Sequence, residues 1–200
     1  MKNKLTKLEF KWICYDMGNS AFILLVATIL PIYFNYLSSS QGVAEHNYLS
    51  YWSYAASLST LIVALAGPIL GTLADYKDHK KKIFLTCALL GALALACFWI
   101  PSSWFAFLVL FIAAKVAYSL SLIVYDSMLT DITTEERMDA VSSKGYAWGY
   151  IGSVVPFIIS LVFVLMYDKM GMTLKTAMMI AFILNAAWWI TFTLPLVKSY

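Results

Sequence analysis

The stretch that decides the fold is Gly67-Pro-Ile-Leu-Gly71-Thr-Leu-Ala-Asp75-Tyr-Lys77-Asp-His-Lys80-Lys81-Lys82. An apolar segment ends at an aspartate, a short loop carries four lysines, and a second apolar segment begins at Ile83. Short lysine-rich loops stay on the cytoplasmic side of a membrane because they resist translocation. The stretch therefore predicts a cytoplasmic turn between two membrane-spanning helices.

Composition extends this reading to the whole chain. Of the 200 residues, 62% are hydrophobic and 12% are charged, which is more apolar surface than a soluble domain of this size can bury. The net charge of +3 is too small to indicate nucleic-acid binding. We expect a lipid bilayer around the chain and no nucleic-acid partner.

Apolar segments of about 20 residues, the length needed to cross the hydrocarbon layer, recur along the chain. Helices are expected, since strand edges would leave backbone groups unpaired in lipid. The fold class is all-α and polytopic, with bends at three prolines (Pro31, Pro68 and Pro156) and a short surface helix beginning near Thr133. The six predicted spans are Trp12–Leu37, Leu49–Leu73, Ile83–Ile100, Trp104–Met128, Val141–Tyr167 and Leu174–Val197.

Basic residues are distributed unequally between the two sides of these spans. Only Lys169 and Lys175 fall on one side, and Lys115 lies within a span. The positive-inside rule therefore predicts that both termini are cytoplasmic. Eleven basic residues fall on that side: Lys2, Lys4, Lys7, Lys11, Lys77, Lys80, Lys81, Lys82, Arg137, Lys144 and Lys198.

Enzymatic chemistry is not expected. No histidine lies in a span, which argues against serine–histidine and zinc sites within the membrane. Intramembrane aspartyl proteases need a Gly-x-Gly-Asp segment, which the sequence lacks, and it also lacks a nucleotide-binding Gly-x-x-x-x-Gly-Lys loop. Cys14, Cys87 and Cys97 lie in apolar segments without paired spacing, as buried small side chains do. We expect no catalytic residue, metal or cofactor.

Two stripes of small residues recur at helical spacing. Span two carries Gly67 and Gly71 between Ala64 and Ala74, and span five carries Gly145, Gly149 and Gly152 before Pro156. Such stripes let helix backbones approach closely. Static packing and a sliding contact in a moving transporter are equally compatible with them.

Lys115 is the first candidate for a solute path. A buried ammonium in mid-membrane costs several kcal/mol, so it needs a partner or a wet cavity. Ser119 and Asp126 share its helix face, and Tyr118 is a neighbouring candidate, but Asp126 lies about 16 Å further along the axis. Structural pairing with another helix is the alternative.

Asp16 is the second candidate, because Asn19 and Ser20 share its face at i+3 and i+4. A carboxylate beside an amide and a hydroxyl can bind a cationic group or relay a proton. An interfacial carboxylate that fastens helices together near Lys11 is the alternative.

Charged residues also collect at the cytoplasmic ends of spans two, four and five. Asp75, Asp126, Asp131 and Arg137 look like an ionic cluster that closes one face of the bundle. A gate and a static fastening have the same sequence pattern.

Gly71-Thr-Leu-Ala-Asp75, followed by Lys77 and Lys80-Lys81-Lys82, resembles the loop signature of the major facilitator superfamily, with Tyr76 and Asp78 departing from it. Three further segments look like the vacuole-effluxer branch, whose eukaryotic members export amino acids from the vacuole and which has bacterial relatives. They are Trp12-Ile-Cys-Tyr-Asp-Met-Gly-Asn-Ser-Ala-Phe22, Val124-Tyr-Asp-Ser-Met-Leu-Thr-Asp131 and Ser142-Ser-Lys-Gly-Tyr-Ala-Trp-Gly-Tyr-Ile-Gly-Ser153.

The resemblance implies twelve helices in two halves, each built from two inverted three-helix repeats. Residues 1–200 would be the N-terminal six-helix bundle, with repeats at 1–100 and 101–200. The C-terminal half would come from the same longer chain or from a second copy. Spans one and four would line the cavity, with Lys115 at the level of a basic residue in many relatives. The gate would comprise Gly71, Asp75, Lys77, Lys80, Lys81, Asp126, Asp131 and Arg137.

The sequence therefore predicts a secondary transporter in a bacterial plasma membrane. It would move a small polar solute, amino acids by resemblance, through alternating access. A non-transporting scaffold that uses its glycine stripes is the alternative, and a channel is less favoured because no charged ring or filter motif is present.

Overall fold

The computed structural model describes residues 4–76 and 78–200, without the side chain of Glu45. This part of the chain forms α-helices joined by short turns and contains no strand. The helices are α1 (Lys7–Ala27), α2 (Ile29–Ser40), α3 (Glu45–Ala74), α4 (Lys80–Ala96), α5 (Trp104–Ile132), α6 (Glu135–Met166) and α7 (Leu174–Val197).

Five helical stretches are long and apolar enough to cross a membrane: Lys7–Ser40, His46–Ala74, Trp104–Ile132, Glu135–Met166 and Leu174–Val197. They correspond to five of the six predicted spans, and the last coincides with α7. The remaining span, Ile83–Ile100, corresponds to α4, which has only 17 residues and is followed by a turn.

The first predicted span is two helices rather than one. Thr28 interrupts it with φ −131° and ψ −67°, between the end of α1 and the start of α2. Pro31 follows in the first turn of α2 and has no N–H to donate to the carbonyl four residues earlier. The bend expected at Pro31 is therefore a break at Thr28, whereas Pro68 and Pro156 lie inside uninterrupted helices.

The predicted surface helix near Thr133 is wrong, because α6 begins directly at Glu135 and continues to Met166. Thr133 does not cap this helix, and its hydroxyl donates instead to Glu9 Oε1 at 2.6 Å. The first turn of α1 does have a capping box, in which Thr6 and Glu9 bind each other's backbone N–H groups.

Helix neighbours follow a regular pattern. α1 packs against α6 and α7, whereas α5 packs against α3 and α4. α7 also contacts α4 and α6, so the group formed by α1, α6 and α7 meets the group formed by α3, α4 and α5 along α7. Large aromatic side chains fill the space between them, among them Phe22, Phe34, Phe107, Phe182 and Trp189, all fully buried.

Polar contacts close the end of the bundle that carries both chain termini. Lys80 Nζ lies 2.7 Å from Asp131 Oδ2 and ties α4 to the end of α5. The Tyr200 hydroxyl also donates to Asp131, and Lys11 donates to Ser199. These contacts hold the end of α7 against α1 and α5.

Candidate functional site

A cleft of about 290 Å³ lies among α1, α5 and α6. Its volume is near the lower end of the range for small-molecule sites, about 300–1,000 Å³. Its walls mix aromatic rings, hydroxyl groups and two carboxylates. The lining residues are Trp12, Asp16, Asn19, Ser20, Ile23 and Leu24 of α1, Tyr118, Leu122, Tyr125 and Asp126 of α5, and Ser142, Tyr146, Tyr150 and Ser153 of α6.

The wall formed by α1 is the polar stripe that begins at Asp16. Asn19 is 1% exposed, and its side-chain amide donates to Tyr15 O at 3.2 Å and to Asp16 Oδ1 at 3.4 Å. Its own oxygen accepts from the Tyr118 hydroxyl at 3.4 Å. Asn19 therefore connects the half-buried Asp16 on α1 to Tyr118 on α5.

The glycines of α6 leave space for this stripe. A Cβ added to Gly149 would lie 2.9 Å from Ser20 Oγ and 3.2 Å from Asp16 Cγ. A Cβ on Gly145 would lie 2.9 Å from the Trp12 ring. Because α6 has no side chain at these positions, its backbone approaches α1 closely.

Trp12 and Tyr125 fasten α1 to α5 at the side of the cleft. The Trp12 indole N–H donates to Tyr125 O, and the Tyr125 hydroxyl donates to Trp12 O, both at 3.1 Å. Their rings are stacked, with centroids 4.3 Å apart and planes at 8°. Such a pair fixes both side chains, so this part of the wall is rigid.

The charge of the cleft is negative. Asp16 and Asp126 are its ionisable carboxyl groups, and its lining contains no lysine, arginine or histidine. Asp126 makes no hydrogen bond or ion pair within the part of the chain that the structure describes. Asp126 is exposed, whereas Asp16 is half-buried among membrane helices. Because both carboxyl groups lack a basic partner among the described residues, the cleft is suited to positive charge or to hydrogen-bond donors.

Of the predicted solute-path residues, the cleft brings together Asp16, Asn19, Ser20 and Tyr118. It does not include Ser119 or Lys115. Lys115 Nζ lies 3.5 Å from Ala56 O on α3 and 5.9 Å from the centroid of the Phe111 ring. This ammonium therefore lies between α5 and α3, outside the cleft.

The expected gate residues do not form one cluster: Arg137 pairs with a residue of α1, whereas Lys80 and Asp131 join α4 to α5. Arg137, which the sequence placed in one ionic cluster with Asp126, pairs with Glu9 instead. Lys80 does pair with Asp131. Asp75 is exposed at the end of α3, Gly71 and Lys81 are half-buried, and Lys77 lies outside the described residues.

The expected cluster omitted Glu9, which is 1% exposed and central to it. Arg137 Nη2 and Nε donate to its two carboxylate oxygens at 2.7 and 2.9 Å, and Thr133 and the Thr6 N–H also donate to it. The sequence does contain a signal for this residue, since Thr6 and Glu9 have capping-box spacing before an apolar run.

The wall formed by α6 was also missed. Ser142, Tyr146, Tyr150 and Ser153 line the cleft at i, i+4, i+8 and i+11. These residues lie on the face of α6 next to the glycine stripe. Once the glycines are known to pack against α1, helical periodicity predicts that this neighbouring face borders the cleft. Trp148, on the same helix, is exposed and does not line the cleft, and Asn185 of α7 is buried against Ser160.

An apolar helical bundle with a polar cleft between three of its helices has the architecture of a polytopic membrane protein. The sequence model of the family described as "Vacuole effluxer Atg22 like" matches residues 6–199. The chain belongs to this family.

Two relatives match the chain in sequence. An "Uncharacterized MFS-type transporter YxiO" of Bacillus subtilis (strain 168) is 36% identical over 203 aligned positions, which cover 99% of this chain and 47% of the relative. An "Uncharacterized protein" of Aquifex aeolicus (strain VF5) is 24% identical over 163 positions, covering 79% of this chain and 40% of the relative. The chain thus spans about half the length of these relatives. No solved structure matches it.

Proposed function

We propose that the chain is the N-terminal half of a secondary transporter that moves a small polar solute by alternating access. The observation that carries this proposal is the cleft, where a carboxylate, an amide and several hydroxyls converge between membrane helices. The name of the Bacillus relative, an MFS-type transporter, supports it. Amino acids are the first solutes to test, because of the vacuole-effluxer resemblance.

The helix neighbours support two inverted three-helix repeats, at residues 1–100 and 101–200. α1 contacts α6 and α7, the second and third long helices of the other repeat. Likewise α5 contacts α3 and α4, the second and third helices of the first repeat. Exchanging the two repeats therefore preserves the principal neighbour pairs, as an inverted repeat requires.

A second six-helix half would complete the cavity, since the cleft is walled by α1, α5 and α6 alone. The lengths of the relatives favour a half in the same longer chain over a second copy. The bundle would lie in a bacterial plasma membrane with both termini in the cytoplasm, as the excess of lysines at that end favours.

Asp75 and the lysine loop would form the gate on the cytoplasmic side. Asp75 is exposed at the end of α3, so it is free to approach a helix of the second half. Asp75→Asn is expected to shift the balance between inward-facing and outward-facing states. Unchanged labelling of cysteines introduced at the cytoplasmic end would argue against a gate.

Solute uptake by the full-length protein tests the proposal. Reconstituted into liposomes with a proton or sodium gradient, the protein is screened against labelled amino acids. Asp16→Asn is expected to reduce uptake at least about tenfold, because Asp16 is the half-buried carboxylate of the cleft. Lys115→Ala should also reduce uptake sharply if the solute path extends beyond the cleft to the ammonium between α5 and α3.

The two variants separate the two parts of the proposal. Normal uptake by Lys115→Ala would assign Lys115 to the packing of α5 on α3. Normal uptake by both would remove the cleft from the solute path. Absence of uptake or exchange of every solute by the parent protein would instead favour a scaffold.

A further inference from the structure

We infer that the cleft binds the positively charged nitrogen of its solute, with Asp16 as the counter-charge and the α6 tyrosines beside it. The inference rests on the proposed function and names the chemical class of solute for the same site. It comes from the charges, partners and ring positions around the cleft.

The charges around the cleft have one sign. α1 contributes Asp16, α5 contributes Asp126, and α6 contributes only hydroxyl groups and rings. Among the basic side chains of these helices, Arg137 binds Glu9, Lys80 binds Asp131, and Lys115 lies against Ala56 O. Lys144 of α6 lies two residues after Ser142 but does not line the cleft. An anionic solute group would therefore meet repulsion in the cleft, and a cation would meet attraction.

Asp16 is positioned but not neutralised. Its contact with Asn19 is a long hydrogen bond from a neutral amide, at 3.4 Å. Gly149 and Gly145 bring α6 against it, with Asp16 Oδ2 only 3.2 and 3.4 Å from where their Cβ atoms would be. The carboxylate thus has a fixed place and lacks a basic partner within the described residues.

Two rings on α6 have surfaces available to a ligand. Tyr146 and Tyr150 line the cleft and are 67% and 66% exposed, with ring centroids 6.5 Å apart. In contrast, the rings of Trp12 and Tyr125 are stacked on each other. A cation within about 6 Å of a ring is attracted by its negative face, and tyrosine hydroxyls also accept hydrogen bonds from an ammonium.

Three probes of matched size test the inference: propylammonium, propionate and 1-propanol, which differ in charge. Their binding to the full-length protein in nanodiscs is measured by calorimetry. We expect propylammonium to bind more tightly than 1-propanol and propionate to be the weakest. Asp16→Asn should weaken propylammonium binding at least about tenfold.

Asp139→Asn is the matched control, because Asp139 is an exposed carboxylate of α6 outside the cleft lining. It should bind propylammonium as the parent does. If Asp16→Asn does not fold, Tyr150→Leu is measured in its place. It should weaken the binding of propylammonium more than the binding of 1-propanol or propionate. Equal binding of the three probes, tighter propionate binding, no binding of any probe, or propylammonium binding that survives Asp16→Asn would each overturn the inference.

A second readout separates this inference from the proposed function. Cysteines introduced at the two ends of the bundle report which end is open, through their labelling by a water-soluble maleimide. If propionate or 1-propanol moves labelling from one end to the other and propylammonium does not, transport stands and the preference for a cation is overturned. If labelling never changes, with any probe or with amino acids, alternating access itself is overturned.

Discussion

The seam between α1 and α6 and the outer face of α3 contain the same kind of small-residue stripe, yet they are packed differently. At the seam, a Cβ on Gly145, Gly149 or Gly152 would come within 3.0 Å of a side chain of α1. On α3, Gly67 faces Ile123, but a Cβ on Gly71 would meet nothing within 4 Å. Around Gly71 the large side chains of α3 are exposed: Leu61, Leu65, Ile69 and Leu73.

The same small-residue pattern in the sequence therefore corresponds to two packing environments, one filled by a neighbouring helix and one open. The seam is filled within this bundle and is anchored at its end by the ion pair between Arg137 and the buried Glu9. The α3 stripe is packed at Gly67 but open at Gly71, and it ends near the exposed Asp75. Substitutions at the seam should therefore affect the stability of the bundle, whereas those at Gly71 should affect it little.

The largest effect is expected from Arg137→Ala. It leaves the Glu9 carboxylate, which is 1% exposed, without its cation, so the free energy of unfolding should fall by more than for Gly149→Leu or Lys80→Ala. Denaturation of the purified protein in a mixed-detergent titration measures this. A loss no larger than that of Lys80→Ala would show that water or another cation replaces the guanidinium and that the seam is not anchored there.

Gly149→Leu should have the next largest effect. The new side chain meets Ser20 and Asp16, and overpacking of this kind costs about 1–3 kcal/mol. Gly71→Leu is the matched control and should leave stability within about 0.5 kcal/mol, because its surroundings are open. Equal losses in the same titration would remove the distinction between the two stripes.

The smallest effect is expected from Lys80→Ala, next to the end of α3. Its partner Asp131 keeps 42% of its side chain exposed, so solvent can replace the ammonium, and the loss should be about 0–1 kcal/mol. The same titration compares it with Arg137→Ala. A loss as large as that of Arg137→Ala would mean that this ion pair anchors the bundle as firmly as the buried one.

Hydropathy predicted the helices well where apolar runs are uninterrupted, and α7 has its predicted bounds at Leu174 and Val197. It failed where polar residues continue a helix. Four of the six residues 135–140 are charged, yet the segment forms the first turns of α6, because that end of the helix is largely exposed and its charged side chains need little burial. The break at Thr28 was also missed, since a proline bends or breaks a helix according to its tertiary surroundings.

The site was predicted in part, from local spacing. Asp16, Asn19 and Ser20 were selected because they lie on one face of one helix, and they line the cleft together. Glu9 contacts Arg137, and Tyr146 lines the same cleft as Asp16, although in each case the two residues belong to helices far apart in the chain. Which residues meet across these helices depends on how α6 packs on α1, and the periodicity of a single helix does not predict that packing.

The short α4 has a consequence for the surrounding lipid. Its 17 residues begin with three lysines, so the apolar part extends over about 21 Å, against about 30 Å of hydrocarbon. This hydrophobic mismatch is relieved when the lysine side chains reach outward and the adjacent bilayer becomes thinner. The protein should therefore prefer short-chain lipids around α4, and each lengthening of the acyl chains should add to the elastic cost of holding it in the membrane.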